Sequence, residues 1–160
     1  MKLLLVFFLL ISNVPEMDNV RKYYVEAATS KESAAYFYEL FEGIDTGHEN
    51  GTLVAYKAAS VVLMAKYERN LFTKTKYFNR GTDMLDAAIK KHPDNYEARL
   101  IRLNIQDNVP WITGYTSEIK EDKAFLIKNY INQPEGLKTF TKKYVKQSSA
   151  FTDKEKKAFN

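Results

Sequence analysis

From Pro15 onward, apolar side chains recur at intervals of three and four residues, and no stretch sustains an alternation of apolar and polar residues. A half-buried strand requires that two-residue alternation, whereas a helix facing a core requires the longer period. The pattern therefore predicts an all-helical fold of six to eight helices packed as antiparallel pairs, in one domain over residues 15–160. A first helix opens at Pro15 and turns Val20, Tyr23, Tyr24, Ala27 and Ala28 inward. Thr29 to Glu32 has the form of a capping box, opening a second helix with Ala34, Phe37, Leu40, Phe41 and Ile44 on its apolar face. The segment from Thr52 to Arg69 is apolar on every side, which marks it as a central helix.

Further along, Tyr77, Phe78, Leu85 and Ile89 lie on a fourth helix that ends before Pro93. Asp94 to Glu97 is expected to cap a fifth, with Ala98, Ile101 and Ile105 facing inward. Ser117 begins a sixth, Pro134 a seventh, and the capping box Thr152 to Glu155 a short last helix that docks Phe151 and Phe159. The stretch between the fourth helix and Arg69, through Thr75, reads as a long turn, and Asn108 to Thr116 as a loop broken by Pro110 and Gly114.

Ahead of this domain, Lys2 is followed by nine apolar residues, Leu3 to Ile11, and then by Ser12, Asn13 and Pro15. A positive charge, a short apolar run and a polar break have the proportions of a signal peptide, to which residues 1–14 are assigned. The run is shorter than the roughly 20 residues needed to cross a bilayer. No Ala-x-Ala precedes the break, and Ser12 is the best-placed cleavage site. Export follows, to the periplasm or outside the cell, with membrane contact only through an uncleaved N-terminus. The chain has no cysteine, which excludes disulfides, thiol catalysis, thiolate zinc sites and a lipidated N-terminal cysteine. From Lys128 to the end, eight lysines stand against Glu135, Asp153 and Glu155. They alternate with Leu137, Phe140, Tyr144 and Val145 at helical spacing, the pattern of a solvated amphipathic face rather than of a nucleic-acid-binding motif.

Between Tyr77 and Leu103 the small residues Gly81 and Ala88 flank Leu85, and Pro93-Asp-Asn95-Tyr-Glu-Ala98 follows. This resembles a tetratricopeptide repeat at the junction of two units, where small residues let paired helices approach and proline separates them. The resemblance implies helical pairs. It does not extend to a repeat array, because no 34-residue period recurs. The chain as a whole, on the stretch from Arg99 through Pro110 and Tyr115 to Lys123, is similar to small exported proteins of Bacteroidetes-type bacteria that carry no assigned function. That similarity implies no catalytic residues.

Candidate chemistry is sparse. His48 lies in a glycine-punctuated loop with Glu39, Glu42, Asp45 and Glu49, so Asp45 and His48 could supply two metal ligands or an acid–base pair. His92 precedes Pro93 and suits a helix C-terminus. No nucleophile–base motif is present, and the reading is non-catalytic, with no cofactor and no metal assigned. The best binding candidates are Arg99, Arg102 and Gln106, which stripe one face of the fifth helix, together with Trp111 and Tyr115 in the loop after it. Arginine beside large aromatics is the composition of a recognition surface. The competing arrangement pairs Arg102 with Glu121 or Asp122 and places Trp111 in the core. An enzyme or metal-binding protein using the Asp45/His48 loop is the third function in order, and two stand ahead of it. One is a protein-interaction or scaffold module whose partner is another envelope or secreted protein. The other is a carrier of a small apolar ligand or lipid, held in a cavity lined by some of the 11 tyrosines and 10 phenylalanines.

Overall fold

A computed structural model describes residues 16–160, so the signal-peptide reading and the placement of Pro15 concern residues outside the described part. The fold is all-helical, as the periodicity predicts. The described residues form eight α-helices: α1 (Met17–Ala27), α2 (Lys31–Glu39), α3 (Gly51–Tyr67), α4 (Leu71–Lys91), α5 (Tyr96–Asn108), α6 (Ile119–Asn129), α7 (Glu135–Gln147) and α8 (Asp153–Lys156). Short 3-10 turns follow α5, α6 and α8.

Helix starts are set by side-chain oxygens that take up free backbone N–H groups. Asn50, Asn70 and Asn95 cap α3, α4 and α5 in this way, and Ser30 caps α2. Three of these positions correct the sequence reading. Ser30, and not Thr29, accepts the Ser33 N–H, while the Thr29 hydroxyl turns back to the Glu26 carbonyl. Asn95, and not Asp94, accepts the Ala98 N–H. The third correction is larger. Asn70 accepts the Thr73 N–H at 3.0 Å, so residues 71–75, expected as a turn, form the first turn of α4. With no proline or glycine in that stretch, nothing opposes the cap. Ser117 likewise falls outside α6, its hydroxyl donating to Glu118 at 2.6 Å.

α3 and α4 are joined by three residues and pack along their length. Gly81 makes the approach possible: a Cβ there would lie 2.5 Å from Val62 Cγ2 and 2.8 Å from the Ala58 carbonyl oxygen. A first core gathers α1 to α4 around Tyr24, Phe37, Phe41 and Tyr56. A second joins Leu126, Leu137, Val145, Phe151 and Phe159 from the C-terminal helices. α5 belongs to both. Ala98, Ile101 and Ile105 face the first core as predicted, while Tyr96, Leu100 and Leu103 face the second.

The polar residues of α5 reach in every direction. Glu97 accepts from Arg21 Nε at 2.8 Å and from the Tyr56 hydroxyl at 2.6 Å. Asn104 accepts from Tyr24, and Asp107 from Tyr144, Ser148 and Ser149. α5 is thus a second central helix beside α3.

At the C-terminus both halves of the predicted capping box form, and Phe151 and Phe159 are buried. Glu155 accepts the Thr152 N–H at 2.8 Å and pairs with Lys123 at 2.9 Å. The Thr152 backbone bond, followed by the bond to Lys123, holds the Glu155 carboxyl down to about 2 from its ordinary 4.5. A carboxylate with a depressed folded pKa contributes stability above its ordinary value and loses it as pH falls. The amide resonances of α8 are therefore expected to shift as pH drops from about 4.5 to about 2. In Glu155→Gln that titration should vanish; an unchanged titration in the variant would assign it to another group.

Candidate functional site

The arginine stripe on α5 is an interior ion cluster. Asp122, wholly buried near the start of α6, accepts from Arg102 Nε at 2.7 Å and Nη2 at 2.8 Å, and from Arg99 Nη1 at 2.9 Å. Arg99 also donates to Glu121 and to the Pro93 carbonyl, and its guanidinium lies 4.5 Å from the centre of the Phe125 ring. Arg102 reaches Asp86 at 3.2 Å, and Asp86 in turn accepts from the Tyr115 hydroxyl at 2.9 Å.

Burial by itself would lower the Arg102 pKa, but the bonds and charges of Asp122 and Asp86 outweigh it and the net direction is upward. Gln106 donates to Glu118 at 2.9 Å, and its Oε1 is buried without a partner among the described residues. Arg99, Arg102 and Gln106 are each at most 8% exposed, so they are not available as a recognition surface. The structural pairing holds for Arg102 with Asp122, while Glu121 goes to Arg99.

Tyr115 stacks edge-on against Phe78, but Trp111 does the opposite of plugging the core: it is 83% exposed. In the loop before α3, Asp45 accepts the Gly47 N–H, and His48 Nδ1 accepts the Asn50 N–H at 3.1 Å. Both side chains are used on their own loop, and no group of three or more metal-ligating side chains converges among the described residues.

A different feature draws several elements together. The C-terminal halves of α1, α3, α5 and α7 meet the start of α4 around a cleft of about 860 Å³. Its walls are mostly apolar, with Tyr24, Leu63, Phe78, Ile105 and Phe140 among them, while Asn79, Asn104, Asn108 and Gln147 add neutral polar groups. Lys66, Lys74 and Lys143 also line it, and no carboxylate does. Lys66 donates to the Ala28 carbonyl, and among the described residues none of the three lysines pairs with a carboxylate.

Leu71, the first residue of α4, and Ile112, in the turn after α5, both line the cleft and stand largely exposed to solvent. The size of the cleft falls within the range of small-molecule sites, about 300–1,000 Å³. Of its lining, only Tyr24, Phe140 and the apolar helix faces were visible in the sequence. Of the lysines, Lys143 belongs to the expected solvated face and Lys74 to the expected turn, and their convergence with Lys66 depends on which helix ends meet.

Comparison with known proteins adds no family: no family model matches the chain, and no curated protein or solved structure is significantly similar to it. Among the described residues, no helix is long and apolar enough to cross a membrane.

Proposed function

We propose that this chain is an exported, non-catalytic carrier that holds an elongated apolar ligand with an anionic end group in the cleft. The observation that carries the reading is the lining itself: mostly apolar walls with three lysines and no carboxylate. Apolar walls supply affinity through area removed from water, and a few polar groups fix orientation. Desolvating an acidic head group beside lysines costs less than beside neutral walls, because each lysine favours its charged form. Export enters from the apolar segment at residues 1–14, and the helical pairs from the tetratricopeptide resemblance. Of the functions open from the sequence, the carrier is favoured over the scaffold module because the expected arginine surface is interior.

Palmitate and hexadecanol, titrated into the full chain by calorimetry, test this. Palmitate is expected to bind at one site and more tightly than the alcohol. Filling the cleft with the double variant Ala28→Phe/Leu63→Phe should weaken palmitate by about tenfold or more, roughly 1.4 kcal/mol. Lys74→Glu should erase the preference for the charged ligand. Absence of saturable binding, or binding indifferent to the double variant, would overturn the assignment.

A further inference from the structure

We infer that the rim of the cleft docks on an anionic lipid surface, through which the ligand enters and leaves. The inference takes its purpose from the carrier reading, but its geometry is independent of it. Five large apolar side chains stand almost free of the fold; Ile131 at 73% exposure lies apart after α6, and the other four are Leu71 at 76%, Phe72 at 80%, Trp111 at 83% and Ile112 at 77%. Scattered exposed apolar residues need no explanation, but a group of them at one place does. These four belong to two tips, the start of α4 and the turn after α5, and Leu71 and Ile112 both line the cleft. Each pair thus has one member on the cleft lining, with the other next to it in sequence. The second tip is a 3-10 turn closed by Gly114 at φ +70°, a left-handed conformation that glycine adopts at little cost.

The chemistry of the tips fits a bilayer boundary. Tryptophan and phenylalanine settle at the level of lipid head groups, and basic residues beside them are attracted to anionic lipid. Lys74 stands next to the first turn of α4, where a cation opposes the helix dipole, so helix stability does not account for it. Lys66 and Lys143 lie along the same opening. The nearest carboxylate in sequence, Glu68, is turned onto the Asn70 N–H at 2.7 Å. Charge and apolar reach thus complement an anionic membrane, a contact distinct from the one an uncleaved N-terminus would make.

Trp111 is the only tryptophan in the chain and reports on the rim directly. With vesicles of phosphatidylcholine and phosphatidylglycerol, the full chain is expected to show a blue shift of Trp111 emission and quenching by acyl-brominated lipid. Phosphatidylcholine alone should give a several-fold weaker response. The exposed double variant Phe72→Ser/Ile112→Ser should abolish the shift while keeping the helical circular dichroism, and Lys74→Glu should weaken it. The cleft-filled variant Ala28→Phe/Leu63→Phe should still dock, which separates failure of docking from failure of ligand binding. Co-sedimentation with unchanged Trp111 emission would overturn the inference in favour of the apolar N-terminal run. A shift that grows with protein concentration without vesicles would overturn it in favour of a second copy of the chain. Absence of both sedimentation and shift would also overturn it.

Discussion

Replacing Asp122 with alanine is expected to destabilise the protein by about 3–5 kcal/mol, the usual loss when one member of a buried ion cluster is removed. The carboxylate is fully buried and accepts from both Arg99 and Arg102. Without it, Arg102 keeps only a 3.2 Å contact to the half-exposed Asp86, and Arg99 keeps Glu121, whose side chain is 66% exposed. Two guanidinium groups would then remain in the interior without adequate counter-charge, which is the costly part of the change. Urea denaturation should show a lower midpoint at constant m-value. Asp122→Asn keeps the shape and one acceptor, so its loss should be smaller. A loss below about 1 kcal/mol for the alanine variant would mean that the cluster behaves as a surface pair.

Phe37→Ala is the second large loss, about 3–5 kcal/mol, from removed burial together with the cavity left behind. The Phe37 ring is fully buried and meets Phe41 edge-on at 5.1 Å and Tyr56 edge-on at 6.2 Å between centroids. Tyr24 lies on a third side at 6.0 Å. The three neighbours come from α1, α3 and the turn after α2, so the space cannot close without moving all of them. At roughly 2–4 °C per kcal/mol for a chain of this size, the melting temperature should fall by about 6–20 °C. The adjacent Tyr36, 49% exposed and in contact with Tyr23, provides the control. Its replacement by alanine should cost about 1 kcal/mol or less.

These two residues mark what could be read in advance. Phe37 follows from spacing alone, because helical period places it with Ala34 and Phe41 on one face. The partnership of Arg102 with Asp122 was one of two readings of the same stripe. Choosing between them requires knowing that the chain from Asn108 to Glu118 returns α6 onto α5, and no local pattern encodes that. The same gap hid Leu100 and Leu103. Their face of α5 meets a core built from helices later in sequence, so the helix buries more of its circumference than the inward face assigned to it.

The start of α4 was missed for a local reason: a single asparagine cap extends the helix back over the stretch read as a turn. The cleft was the least legible feature, since it consists of what five helix ends leave unfilled. Trp111 also had two readings, a recognition loop or a plug in the core, and it stands as an exposed tip.

Because α5 serves as a common wall for both cores, neither half of the domain closes without the other. Opening either half strips the wall of one face and uncovers the buried charges along its edge. Melting should therefore register occupancy of the cleft as a whole-molecule event, since ligand that binds only the closed form raises the stability of everything the wall supports.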